Sequence, residues 1–334
     1  MTTLAIDAMG GDAGLEATVP ATCEAALQQP DVNFILVGIE SDIESALSDA
    51  NRTSLENVSI QHASEVVEMQ DAPAFALRKK KDSSMRVAIN LVKDGAADAC
   101  VSSGNTGALM ATAKFVLNTI AGIERPAICA ALPRIHGQTY MLDLGANVDS
   151  PATILYQFGV MGALLIECLE DKSSPSIGLL NIGTEDLKGN DTIKAAAALF
   201  RESDLNYAGF AEANEIYVGN KDLIVCDGFT GNIALKATEG AAEMIMAVMR
   251  EEFSRNLMRK SSAVLASPVI RSIKNRLDHR RYNGASLLGL KGTVVKSHGG
   301  SDDLAFKAAL NVAIEEVRNE LVARIEAAMT AAMD

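Results

Sequence analysis

Nine short apolar runs recur along the chain, each followed by a glycine or polar turn and then by residues at helical spacing. They are Leu4 to Ala8, Phe34 to Gly38, Val58 to His62, Ala99 to Ser102, Ala127 to Leu132, Tyr140 to Asp143, Ile177 to Asn181, Leu223 to Cys226 and Thr293 to Lys296. This alternation is the signature of βαβ units and predicts an α/β fold around a mostly parallel sheet. The available core filling agrees. Trp is absent and aromatic residues make up only 4%, so Ala, Val, Ile, Leu and the 13 Met must pack the helices on the sheet. With 334 residues, 48% of them hydrophobic and 22% charged, the chain can bury a large core. No fixed-period repeat, low-complexity tract or linker divides it, so a single α/β domain over 1–334 is expected.

The five cysteines, Cys23, Cys100, Cys129, Cys168 and Cys226, are widely spaced and form no CxxC pair. They suggest neither a disulfide framework nor a thiolate metal site, but small apolar residues of a reducing compartment. Residues 1 to 20 show no basic start with a long apolar stretch, and no later run approaches the roughly 18 residues of a membrane span. A cytoplasmic protein is expected. The net charge of −13 argues against general nucleic-acid binding, which relies on lysine and arginine. Charge is uneven, however: positions 250 to 281 hold nine basic and three acidic residues, a local net of +6 that leaves −19 elsewhere.

That basic stretch belongs to a helical excursion expected over 238–285, where a pattern through Ala241, Ile245, Val248 and Met249 runs on with no strand signal. Ser267 and Pro268 suggest a helix restart, with Val269, Ile270 and Ile273 on one face and Arg271 and Lys274 away from it. A final helix is expected from a Ser301 cap, with Phe306, Leu310, Ile314, Val317, Leu321 and Ile325 at helical spacing.

Five turns behind strands are unusual: Asp7 to Asp12, Ser102 to Gly107, Asp143 to Asn147, Asp227 to Asn232 and Lys296 to Gly300. Ligands of open α/β sheets bind outside the carboxyl ends of strands, so these turns are expected to converge at one rim. At Ser103-Gly-Asn-Thr-Gly107 a strand feeds a helix start, and glycines let backbone N–H groups face an anion. Phosphate contacts are therefore expected from Gly10, Gly11, Ser103, Gly104, Asn105 and Thr106. A further loop, Asn181 to Asn190, carries Lys188. The chain has neither GxxxxGK[ST] nor the GxGxxG spacing of a dinucleotide site.

In order and spelling these motifs resemble the PlsX family of phosphate acyltransferases, which act in bacterial phospholipid synthesis. The likeness rests on Ile6-Asp-Ala-Met-Gly-Gly-Asp12, Asp82-Ser-Ser-Met85, Val101-Ser-Ser-Gly-Asn-Thr-Gly-Ala-Leu-Met110 and Leu142-Asp-Leu-Gly-Ala-Asn-Val-Asp149. It continues through Gly178-Leu-Leu-Asn-Ile-Gly183, Val225-Cys-Asp-Gly-Phe-Thr-Gly-Asn232 and Val295-Lys-Ser-His-Gly299. The resemblance implies transfer of a long-chain acyl group from acyl carrier protein to inorganic phosphate, giving acyl phosphate for a glycerol-3-phosphate acyltransferase. It implies a three-layer α/β/α fold similar to phosphate acetyltransferases and isocitrate-type dehydrogenases, a homodimer, and no metal or nicotinamide cofactor.

Phosphate is already an anionic nucleophile and a thiolate leaves readily, so such a site needs positioning and charge stabilisation more than a strong base. Lys188, Asn232 and Lys296 are the expected stabilisers of phosphate and oxyanion. His298 either protonates the departing thiolate or is a loop histidine bonded to backbone. Asp7, Asp143, Asn147 and Asp227 either support those groups or cap helices and turns. The basic stretch, with Val264, Leu265, Val269, Ile270 and Ile273 beside Arg271 and Lys274, is open to carrier docking, anionic lipid or a solvated helical pair. Reversible membrane contact combined with carrier docking is the favoured reading, and the run Arg78-Lys-Lys-Lys81 is a second docking candidate. Two other functions compete: a nicotinamide-dependent hydroxy-acid dehydrogenase of similar layering, and a non-enzymatic lipid or carrier-binding module.

Overall fold

The computed structural model describes residues 1–49, 55–277 and 282–331, with the side chains of 273–277, Ile273 and Lys274 among them, also outside the described set. The chain begins with β1 (Thr2–Asp7), α1 (Leu15–Gln28), β2 (Val32–Gly38), α2 (Glu40–Asp49), β3 (Val58–His62), α3 (Pro73–Lys79), α4 (Ser84–Lys93), β4 (Ala99–Ser102) and α5 (Thr106–Leu117). The hairpin β5 (Ala127–Pro133) and β6 (Gln138–Leu142) follows, then α6 (Ala152–Glu170), β7 (Ile177–Leu180), α7 (Asp191–Glu202), β8 (Tyr207–Ala211), α8 (Glu215–Val218) and β9 (Leu223–Val225). Last come α9 (Gly228–Ser254), α10 (Leu257–Leu277), β10 (Ala285–Leu288), β11 (Thr293–Lys296), α11 (Asp303–Arg318) and α12 (Leu321–Ala331).

All the strands form one sheet in the order β3-β2-β1-β4-β11-β10-β5-β6-β9-β7-β8. The group β3 to β11 is parallel throughout, and so is the group β6 to β8. Between them, β10 pairs antiparallel with β11 and with β5, and β5 pairs antiparallel with β6. Three reversals leave the two parallel groups running in opposite directions. The strand ends are therefore not gathered on one rim, as the sequence suggested. They face each other across an antiparallel seam of β10 and β5.

Register fixes the levels. Lys296 lies opposite Ser102 and Ala285, Ser286 opposite Cys129, and Cys129 opposite Leu142, so Ala130 stands level with Lys296. At roughly 3.3 Å per residue, β5 continues some 10 Å past the ends of β4 and β11 to reach Pro133. Because β5 turns into β6 through a short hairpin, no crossover helix is laid over the seam at that connection.

Elsewhere helices cover both faces, giving three layers. One apolar cluster joins Phe34, Leu36 and Val101 to Phe306 and Leu310 of α11. A second joins Ile89, Leu109 and Val116 of α4 and α5 to Ile128 and Leu287. The third packs α6, α7 and α12 on β6, β7 and β9 through Phe158, Ile166, Phe200 and Ile325. The helix α6 is long and apolar enough to cross a membrane by length and composition, contrary to the expectation that no such run exists. It is nonetheless a core helix, with Ile154, Leu155, Phe158, Met161 and Leu165 buried.

Other elements also depart from expectation. Strands β8 and β10 lacked a clear apolar run. The carboxyl-terminal pattern is broken into two helices at Asn319 and Glu320, where Glu320 takes a left-handed φ of 53°. Asp302, not Ser301, caps α11, accepting from the Ala305 N–H at 3.0 Å. Ser301 is buried instead against Ser297 and Asn283. Between Leu257 and Leu277, α10 continues through Pro268 with no restart. In a solvent-facing helix, water can take over the carbonyl that proline leaves without a donor. Within α9 only Gly228 and Gly231 are buried, so beyond its first turns α9 projects with α10 as an exposed arm.

Candidate active site

A cleft of about 720 Å³ runs over the seam. Its floor is Ile128, Ala130 and Leu132 of β5 with Ala285 of β10, and its walls are two helices. From α5 come Thr106, Met110, Ala111 and Lys114, and from α9 come Asn232, Leu235 and Lys236. One end is closed by Asp12, Lys296, His298, Gly299 and Gly300, the other by Leu144, Gly145 and Ala146. All five glycine-bearing turns thus contribute to one cavity, although they reach it from opposed strand groups.

The first end is built by three turns locked together. The Asp12 N–H donates to the Gly299 carbonyl at 2.8 Å, and the Ser103 hydroxyl donates to the Gly10 carbonyl at 2.7 Å. A Cβ on Gly10 would come within 2.6 Å of Asp7 Oδ2, and one on Gly11, at φ 84°, within 2.7 Å of Ser103 Oγ. These glycines are required by close approach. Beneath them Asp7 is fully buried, accepting from the Ser84 and Ser102 hydroxyls at 2.6 Å each. Burial raises its pKa against the opposing effect of those hydroxyls and of Lys296. Lys296 donates to the carbonyls of Ser103 and Ser297. Burial pulls its pKa down to about 8, opposed by the carboxylates of Asp7 and Asp12. On the exposed side of this end, the Gly300 N–H donates to His298 Nδ1 at 3.1 Å. The neutral ring therefore carries its proton on Nε2.

At the far end Asp143 organises its own turn. Its Oδ1 accepts from the N–H groups of Ile128, Gly145 and Ala146, and its Oδ2 from the N–H and side-chain amide of Asn147. Asn147 also donates to the Pro126 carbonyl. Burial raises the Asp143 pKa despite these bonds. Asp227 caps α9, accepting from the Thr230 N–H at 2.8 Å and its hydroxyl at 2.9 Å. A Cβ on Gly231 would overlap the Asp143 carbonyl oxygen, so glycine there seats α9 directly on the turn. Asn232, the next residue, is thereby held beside Gly145 at the cleft wall.

Among the sequence candidates, Thr106, Asn232, Lys296 and His298 line the cleft. Gly10, Gly11, Ser103 and Gly104 do not. They brace the turns behind it, and the Ser103 hydroxyl is committed to Gly10. Asn105 caps α5 through the Ala108 N–H and clamps the Met69 and Asp71 carbonyls. Lys188 is exposed on its loop and is not part of the cleft lining. Asp7, Asp143, Asn147 and Asp227 serve as braces and caps. Asp12, Met69, Lys114 and Lys236 were missed. Asp12 was within reach, as the acidic end of the first glycine turn, but the others depend on how α5 and α9 face each other. Cys226 is buried in the strand end and its thiol pKa is raised well above the ordinary value by burial, which suits packing and not nucleophilic attack.

Residues 2–324 match the family model of a fatty acid synthesis protein. A phosphate acyltransferase of Legionella pneumophila (strain Corby) is 54% identical over 321 residues, spanning 96% of this chain and 94% of that relative. The chain belongs to the phosphate acyltransferase family. Acyl transfer to phosphate in phospholipid synthesis is accordingly its reaction class. The layered fold reaches further than the family. A phosphotransacetylase from Streptococcus pyogenes, 17% identical, matches over 95% of this chain and 94% of its own length with a TM-score of 0.61. A 4-hydroxythreonine-4-phosphate dehydrogenase from Klebsiella pneumoniae, 14% identical, matches over 95% and 99% with a TM-score of 0.56. That likeness is of fold alone, and it is all that stands behind the dehydrogenase alternative.

Proposed function

We propose that this family member takes a long-chain acyl group from acyl carrier protein and places it on inorganic phosphate, with the whole reaction in the seam cleft. The observation that carries this reading is a single cavity joining an apolar trough (Met110, Ala111, Ile128, Leu132, Leu235) to a polar end with a nine-tenths buried lysine, Lys296. The trough suits an acyl chain, whose burial stabilises by about 0.8 kcal/mol per methylene. The polar end suits an anion, with Thr106 at the start of α5 and Lys296 both lining it.

In this reading a phosphate oxygen attacks the thioester carbonyl carbon, forming a C–O bond and pushing charge onto the carbonyl oxygen. Lys296 and Asn232 stabilise the phosphate and the oxyanion. Collapse breaks the C–S bond; the departing thiolate accepts a hydrogen bond from the Nε2–H of His298 and takes up the proton that hydrogen phosphate releases on becoming acyl phosphate. Acyl phosphate remains, ready for a glycerol-3-phosphate acyltransferase. Gly10, Gly11, Ser103, Gly104 and Asn105 act by fixing the turns.

The test is incubation with palmitoylated acyl carrier protein and inorganic phosphate, followed by hydroxylamine trapping of acyl phosphate. Asn232→Ala and Lys296→Ala are expected to lose on the order of 10²-fold to 10³-fold in turnover. Lys188→Ala is expected to stay near the parent enzyme. An equal loss in Lys188→Ala would return that lysine to the reaction, and full activity in Asn232→Ala and Lys296→Ala would remove the assignment.

The reading extends to the whole chain as one catalytic unit of a cytoplasmic homodimer. The arm of α9 and α10 is its point of reversible contact with anionic membrane. Val264 and Leu265 are 74% and 84% exposed, and Val269, Ile270 and Arg271 follow on the same helix.

A further inference from the structure

A second exposed surface adjoins the mouth of the cleft. The segment 69–73 is clamped to the start of α5: Asn105 donates to the Met69 and Asp71 carbonyls, and Pro73 lies against Gly107. This places α3 beside the cleft wall. On the next faces of α5 stand Lys114, which lines the cleft, and Phe115, 63% exposed, with the Arg86 guanidinium of α4 at 5.2 Å over its ring. Phe75 of α3 is 48% exposed. Around these rings lie Arg78, Lys79, Lys81, Arg86 and Lys114, none of which enters an ion pair among the described residues, whereas Lys80 is held by Asp71 at 2.7 Å. Of the carboxylates in the preceding segment, Glu65 accepts from the Asp82 N–H and Asp82 from the Ser64 N–H and hydroxyl, and neither is ion-paired with these cations among the described residues. Unpaired cations interleaved with exposed aromatic rings, on a chain of net charge −13, form a local attractor on a repelling surface.

We propose that this α3–α4–α5 face docks an acidic carrier protein bearing the acyl group as a thioester, a role the sequence also left open to the arm. The proposal rests on the acyl-transfer reading above and names the partner surface of the same cleft. Continuity favours it, because Lys114 and Met69 belong both to the face and to the cleft. The arm fits less well. Of its cations, Arg255 pairs with Glu251 and Glu252, and Arg259 with Glu252.

The experiment compares two acyl donors, palmitoylated acyl carrier protein and palmitoyl-CoA, with phosphate as acceptor. The double variant Lys79→Glu, Lys81→Glu is expected to raise KM for the carrier-protein donor about tenfold with kcat unchanged, by removing complementary charge at the encounter. Its kinetics with palmitoyl-CoA should match the parent, which also shows that the variant is folded. Raising salt should weaken the parent enzyme's use of the carrier donor more than the variant's. An unchanged carrier KM in this variant would overturn the docking surface and leave the reaction intact. So would a tenfold rise confined to Arg259→Glu, Lys260→Glu on the arm. If the parent enzyme makes no acyl phosphate from either donor, the reaction itself is wrong and the docking proposal falls with it.

Discussion

Lys296 and Asp7 set the charge at the closed end of the cleft. With a Lys296 pKa of about 8, the ammonium is present below that pH and lost above it, so turnover should fall as pH rises through about 8. The Asp7 carboxylate opposes that loss, so Asp7→Asn should shift the fall to lower pH, as kcat profiles would show. Glu316 on α11 offers a separate readout. It is buried with the Ser286 hydroxyl as its donor, and burial raises its pKa to about 8 from the ordinary 4.5. Between those pH values the folded chain keeps a proton that the unfolded chain has released. The Glu316 contribution to stability therefore declines as pH rises across that window and levels off above it. Glu316→Gln should raise the melting temperature at pH 8 to 9, corresponding to a few kcal/mol, and leave it nearly unchanged near pH 4. A larger gain at acid pH would contradict this. At this scale the sequence is informative where a residue stands in a turn behind a strand: the place of Thr106, Asn232, Lys296 and His298 in the cleft lining is legible for that reason. It misleads where a polar group is spent internally, as the Ser103 hydroxyl is on Gly10, because local spelling does not reveal which partner a hydroxyl meets.

At the scale of elements, the turn after β6 and the start of α9 behave as one piece. Gly231 allows it, since any side chain there must push the helix off the Asp143 carbonyl. Gly231→Ala should cost roughly 1–3 kcal/mol, measured by denaturant unfolding, and should also lower kcat by displacing Asn232. A loss of stability with unchanged kcat would show that Asn232 does not depend on this seat. Most strands can be read from their apolar runs, and β3, Val58–His62, is bounded as its residues suggest. The exceptions have local causes. In β10 the four residues Ala285–Leu288 follow Asn283 and Gly284 and carry too little pattern to mark a strand. Yet β10 takes part in two of the three reversals that turn the second strand group around, so missing it means missing the seam. Asp302 and Ser301 are equally good caps on paper, and packing of Ser301 against Asn283 decides between them.

At the scale of the whole molecule, the layered α/β class follows from alternation alone, whereas the opposed direction of its two halves follows only from long-range pairing. The arm gives the molecule-wide prediction. Leu265→Glu, at an 84% exposed position with no core role, should leave unfolding and acyl transfer from palmitoyl-CoA unchanged. It should abolish flotation with vesicles containing anionic lipid, because a charge replaces an inserted apolar side chain. Flotation equal to the parent would exclude the arm as the lipid contact.

The floor of the cleft, finally, is made largely of methyl groups. Ala130 and Ala285 leave the groove about as deep as the backbone of β5 and β10 permits, with Ala131 beside them. Each carbon added to either floor alanine would be taken from the space left for a guest, so under the proposed function Ala→Val→Leu at one position is expected to shorten the accepted fatty chain stepwise without redesigning the sheet.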